Sequence, residues 1–410
     1  MSMMVRSVLL SERDTELELA RLHARLKELL REGEDPGLIA AQTRTTLAGQ
    51  LSLAALLSDT KALKVGIAHA MVGDDPDVQF LADWAGFWAF GPEWRSPLPA
   101  RPTRQAGWRE DQQWMLNRRR RAHTEYRDKE GEIALIVGSG PLRAAVEVNG
   151  VSGIMILDTG APSSVLTPEY ASRAGLDVEG STRVAYDGAG LRQTLCAARA
   201  AEMRVGNWTA RNIPFDTSII DAALATDGIM SPFDVFGRVG LTFDLSRARL
   251  IVGGPPDGAA ASHPLFWSQG VASVRVQING ASALALLDTG AGATVLTHET
   301  AARARLARDA HEFRTATAFG AVSVTTLGTA EITIPGFPGL RQSLYAKQST
   351  PIRLRPFPHL ADAYLGQSWF AHYTVHFPVE RGSLFLSHVE TGSNPSENAE
   401  PLQAPSAGSS

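Results

Sequence analysis

An apolar run that ends in an acid occurs twice in this chain, and it limits the fold more than any other feature. Ile154-Met155-Ile156-Leu157-Asp158-Thr159-Gly160-Ala161 is echoed by Leu284-Ala285-Leu286-Leu287-Asp288-Thr289-Gly290-Ala291. Asn149-Gly150 stands ahead of the first acid and Asn279-Gly280 equally far ahead of the second; Val165-Leu166-Thr167 and Val295-Leu296-Thr297 follow at equal distances. Every matched position is displaced by 130 residues. Self-similarity at a fixed offset means one structural unit present in two copies.

Each copy poses the same physical problem. An apolar run of this length is expected to be a buried strand, yet it leads straight into a carboxylate. A lone buried carboxylate costs several kcal/mol unless it is paired or protonated. Thr and Gly directly after it are expected to make a tight turn. The economical solution is that the two acids meet. Two carboxylates about 3 Å apart cannot both ionise, so they share one proton. The ionised member then activates a water and the protonated one polarises a carbonyl.

Asp-Thr-Gly-Ala after an apolar strand resembles the aspartic peptidases, in which sharing of one proton is a known property of the class, and the Ala points to their retroviral-type, retropepsin-like branch. That family usually builds its site from two identical chains. The resemblance covers about residues 131–390 and implies a fused pseudo-dimer within one monomeric chain. It further implies a mainly β fold of two closed β lobes and an aspartic-type endopeptidase acting on a peptide or protein substrate. Asp158 and Asp288 are then the catalytic pair. Thr159 and Thr289 hydrogen-bond across the pseudo-twofold axis, Gly160 and Gly290 let the backbone approach the acids, and Ala161 and Ala291 complete the loops. A serine in place of Ala161 or Ala291 would donate a hydrogen bond and lower the carboxyl pKa. Alanine has no hydroxyl, so the expected pH optimum is mildly acidic to neutral.

The 410 residues leave room for two or three domains. With 44% hydrophobic and 20% charged residues the composition is that of a globular protein. A net charge of −4 gives no reason to expect nucleic acid as a partner. Cys196 is the only cysteine, so no disulfide can close within the chain. The first ten residues are too short an apolar run for an export signal, and no stretch is long enough to span a membrane. A cytoplasmic location is expected; an upstream start encoding a signal would make it periplasmic or secreted.

Residues 1–97 are expected to form an all-α helical domain. Leu19, Leu22, Leu26 and Leu29 lie at helical spacing, and Asp35-Pro36 opens a second helix. Phe80, Trp84, Phe87 and Trp88 form a stripe read as core, with a partner-binding groove as the alternative. Residues 98–130 are a linker with a helix and Arg118-Arg119-Arg120-Arg121, read as a solvated face rather than a nucleic-acid or membrane patch, with a processing site as a further alternative. The first lobe is expected over 131–254, the second over 255–390, and a disordered tail over 391–410.

Within the lobes, Val184-Ala185-Tyr186-Asp187-Gly188-Ala189-Gly190 and Ala318-Phe319-Gly320-Ala321 are candidates for flaps that close over substrate, or else ordinary hairpin turns. The flap candidates are Tyr186, Asp187, Gly188, Gly190, Phe319 and Gly320. Asp227-Gly228-Ile229-Met230 and Asp362-Ala363-Tyr364-Leu365-Gly366 resemble the family's second characteristic segment, which supports the acid loop from behind. Ser231 stands where the first copy should have its glycine, which puts a Cβ where none is usual. No cofactor and no metal are expected: His-Glu-x-x-His, Cys-x-x-Cys and Gly-x-Ser-x-Gly are all absent from the sequence. Two other readings stay open. One is a catalytically inactive module that holds a peptide in the inter-lobe cleft. The other is an assembly protein whose N-terminal helices bind a protein partner.

Overall fold

The computed structural model describes residues 65–68, 125–126 and, with interruptions of which 348–361 is the longest, 130–389. Apart from a helical turn at 65–68 and a two-residue strand at Glu125–Tyr126, the expected helical domain, the linker with its arginine run and the tail lie outside the described residues. So do Gly188 and Gly190.

What remains is mainly β. The hairpin that delivers each acid follows from its sequence. Asn149 and Gly150 adopt φ of 48° and 81°, and Asn279 and Gly280 adopt 46° and 80°. This is the two-residue turn for which Asn-Gly is suited. It joins Arg143–Val148 to Val151–Leu157 in the first lobe and Val271–Ile278 to Ala281–Leu287 in the second. Both second strands start half-solvated and end with three consecutive buried residues, Met155-Ile156-Leu157 and Ala285-Leu286-Leu287. Alternation stops there because the strand passes between neighbours and is covered on both faces. Val151–Leu157 pairs in parallel with Gly228–Met230, and Ala281–Leu287 does so with Ala363–Leu365.

The strand Val165–Leu166, or Val295–Thr297, pairs antiparallel to that same segment and leads into a short helix. Thr167 and Thr297 cap these helices, Pro168–Arg173 and His298–Arg303, each accepting from the backbone N–H three residues on. The support segments are fastened by their first residue. Asp227 accepts from Ile154 N at 3.0 Å and pairs with Arg173 at 2.9 Å; Asp362 accepts from Leu284 N at 2.9 Å and pairs with Arg303 at 2.7 Å.

The lobes share a sheet that the sequence does not announce. Leu241–Asp244 pairs antiparallel with Tyr373–Phe377. The strands run in the order Ala261–Pro264, Ser383–His388, Tyr373–Phe377, Leu241–Asp244, Arg249–Val252, Gly131–Ile136. Beneath it Phe243 meets Phe370 and Phe377 edge-on at 5.8 Å each, and Phe233 meets Phe377 at 5.1 Å. One buried apolar cluster therefore extends from Ile133 to Leu386, across both lobes.

Candidate active site

Each acid sits one residue beyond the end of its buried strand. Asp158 N donates to Met230 O at 2.9 Å and Asp288 N to Leu365 O at 3.0 Å, so the support segments fix where each loop begins. The loops then lean on one another. Thr159 N donates to Thr289 Oγ1 at 3.1 Å, and Thr289 N to Thr159 Oγ1 at 3.0 Å. Each hydroxyl in turn donates to a carbonyl of the opposite strand, Thr159 to Leu287 O at 2.7 Å and Thr289 to Leu157 O at 2.6 Å. Both threonines are fully buried. Four bonds about a pseudo-twofold axis thus satisfy every polar atom they involve, as a buried network must.

The glycines face the opposite acid. A Cβ on Gly160 would lie 2.8 Å from Asp288 Cγ, and one on Gly290 would lie 2.6 Å from Asp158 Oδ2. Any larger residue would collide with a carboxyl, which accounts for both glycines without appeal to turn conformation. The two carboxyls lie close together, Asp288 Cγ at 2.8 Å and Asp158 Oδ1 at 3.1 Å from where a Cβ on Gly160 would stand. The Asp158 carboxyl is held well above the usual carboxylate range, first by desolvation, then by the negative charge of Asp288 and by hydrogen bonding to it. The Gly160 and Ala161 backbone N–H groups pull it partly back, Gly160 N at 2.7 Å from Asp158 Oδ1. Ala291 N donates likewise to Asp288 Oδ1 at 3.1 Å.

Apolar walls flank the pair. On the first lobe Ile156, Val165, Leu195, Ile220 and Ile229 form a buried cluster against which Ala161 packs. On the second, Leu286 and Tyr364 pack with Val271. Tyr364 takes the place that Ile229 has in the first lobe. Burial, then the charges of Asp288 and Asp187, push its hydroxyl well above the ordinary phenol range, so it stays protonated.

The described parts of both expected flap stretches belong to antiparallel hairpins. Val178–Tyr186 pairs with Arg192–Val205, and Glu312–Thr317 pairs with Gly320–Thr333 around a two-residue turn at Ala318 and Phe319. Tyr186 ends its strand opposite Arg192. Asp187 is buried, and Phe319 and Gly320 sit at the second tip. Ala318 and Phe319 pack on the Ile156–Ile229 wall of the first lobe. Sequence reasoning missed Thr317 as a residue of this region.

Ser231 and Gly366 show how the copies differ. A Cβ on Gly366 would lie 2.6 Å from Ala291 O, whereas Ser231 is accommodated, buried, with its hydroxyl unpaired. Pro232 follows Ser231, while Gln367 follows Gly366 and its N–H donates to Ala291 O at 2.7 Å. The first lobe cannot make that bond, and its chain is released from the close approach that requires glycine. Among the described residues no group of three or more His, Cys, Asp or Glu is placed to hold a metal, and no helix is long and apolar enough to cross a membrane.

Two β lobes thus meet through paired Asp-Thr-Gly loops. Residues 144–231 match the aspartyl protease family model, and residues 274–343 match that of the gag-polyprotein putative aspartyl protease. The chain carries two aspartyl protease family domains in tandem, one in each lobe. No curated protein matches the chain. Among solved structures, the aspartic proteinase from Irpex lacteus aligns with 64% of this chain and 98% of its own, at 10% identity and a TM-score of 0.44.

Proposed function

We propose that this protein is an aspartic endopeptidase working as an intramolecular pseudo-dimer, with Asp158 and Asp288 as its catalytic pair. The observation that supports the reading is the meeting of the two acid loops, where Thr159 and Thr289 bond across the lobes and each glycine lies against the carboxyl of the opposite acid. In the active form the pair holds one proton and one negative charge. The ionised oxygen takes a proton from a water as the water oxygen attacks the amide carbonyl carbon. The other carboxyl gives its proton to the carbonyl oxygen. The resulting tetrahedral diol collapses when the amide nitrogen is protonated by the pair and the C–N bond breaks. Which acid carries the proton is a property of the pair rather than of either residue. The four threonine bonds keep the carboxyls in one relative placement through the cycle.

The test is cleavage of a peptide library by wild type, Asp158→Asn and Asp288→Asn. Either substitution is expected to lower the rate roughly 10²-fold or more, the usual worth of a positioned acid–base group. The reading falls if wild type cleaves nothing over a wide pH range, or if the asparagine variants cleave as well as wild type.

A further inference from the structure

Position 187 of the first lobe corresponds to position 317 of the second under the same 130-residue offset that relates the two acid loops. Each residue stands at the base of its hairpin tip, and the two are bonded to each other: Thr317 Oγ1 donates to Asp187 Oδ2 at 2.5 Å. The same carboxylate oxygen accepts from Phe319 N at 3.2 Å, while Asp187 Oδ1 accepts from Leu191 N at 2.9 Å on its own hairpin. Thr317 Oγ1 also lies 3.0 Å from Gly320 O across its own turn. A further contact, Asp221 N to Ala318 O at 3.0 Å, ties the second tip to the first lobe from the other side. Ala318 and Phe319 then rest on the wall of Ile156, Val165 and Ile229 beside Ala161.

From this geometry we propose that Asp187 is a positioning residue. Its carboxylate latches the two hairpins together, and so fixes Phe319 as the roof over the first lobe's side of the cleft. A site made from two identical chains would place like against like here. Two aspartates would repel, and two threonines lack the capacity to gather three donors at once. Duplication within one chain has permitted an acid on one side and a hydroxyl on the other. Charge-assisted bonds are the strong kind, and Asp187 is only 7% exposed, so water competes weakly for it. The latch must open for a peptide to enter and close again once it is in place. It therefore acts on binding more than on the chemical step. The proposal rests on the peptidase reading only for its consequence in catalysis.

The experiment compares wild type, Asp187→Ala, Thr317→Val and the double variant in the full-length chain. Hydrogen exchange is followed in peptides covering 186–192 and 312–322, with the strands 143–157 and 274–287 as internal controls. Both single variants are expected to speed exchange of the hairpin peptides about tenfold or more with the controls unmoved. The double variant is expected to add little to the Asp187→Ala effect, since one bond cannot be lost twice. With a cleavable peptide, KM should rise about tenfold and kcat change less, and affinity for a statine-containing peptide should fall in step with KM. Unchanged hairpin exchange overturns the latch, as does acceleration equal to that of the controls, which marks a merely structural role. If the hairpins loosen but wild type cleaves nothing, the peptidase reading fails and the latch stands. If wild type cleaves but neither exchange nor KM responds, the latch alone fails.

Discussion

The most exposed claim at the scale of single residues concerns Thr159 and Thr289. Each hydroxyl accepts one N–H and donates to one carbonyl at full burial. Thr159→Val keeps the shape and orphans both partners. It should cost about 1–3 kcal/mol of stability for each group left unsatisfied, read by denaturant unfolding, and it should lower any peptidase rate further than the stability loss explains. Asp158 supplies a pH test. Its folded pKa is raised, so the folded chain holds a proton that the unfolded chain releases. The associated stability is fully present below the ordinary aspartate value of 3.8 and is lost as pH rises through the folded value. Asp158→Asn should therefore raise the melting temperature over wild type at neutral pH and change it little in acid. Replacing Ala161 and Ala291 by serine adds a donor beside each carboxyl and should move the pH optimum of peptide cleavage downward. The acids, threonines and glycines were all legible in the sequence, because a buried acid ahead of Thr-Gly in duplicate has few physical solutions. Thr317 was not: nothing in an ordinary strand threonine marks it as the partner of an acid 130 positions away.

The two copies differ most at the segment behind each acid loop. Gly366 has no room for a methyl group beside Ala291 O, and its neighbour's N–H is already committed there. Gly366→Ala should cost about 2 kcal/mol or more, because the obstacle is backbone. Ser231→Ala at the corresponding place should leave stability unchanged or raise it by up to about 1 kcal/mol, since it deletes a buried hydroxyl with no partner. Thermal unfolding of the two variants side by side checks both. The strand that ends at each acid and the turn after it were readable from the apolar run and from Thr-Gly. The hairpin tips were readable as tips. Their docking onto the opposite lobe was not, because contacts made through tertiary packing leave no local pattern.

At the scale of the molecule, the sheet shared by Leu241–Asp244 and Tyr373–Phe377 and the phenylalanines beneath it make the lobes one packing unit. Phe243→Ala removes a fully buried ring from that junction and should cost about 3–5 kcal/mol. The loss should appear in both lobes together, which hydrogen exchange resolves by region. Dilution should not lower the activity per molecule, since neither half can drift from the other. This sheet escaped the sequence reading for a plain reason. Short runs such as Leu241–Asp244 carry a strand signal but no record of which distant strand they will meet.

Unlike residues at matched positions, Ile229 facing Tyr364 and Asp187 facing Thr317, have a consequence for any extended chain lying between the lobes. Read from amino end to carboxyl end, it meets an aliphatic surface first and a phenolic one second, or the reverse. A device with true twofold symmetry is blind to that choice of polarity, whereas these two lobes are unlike on its two sides.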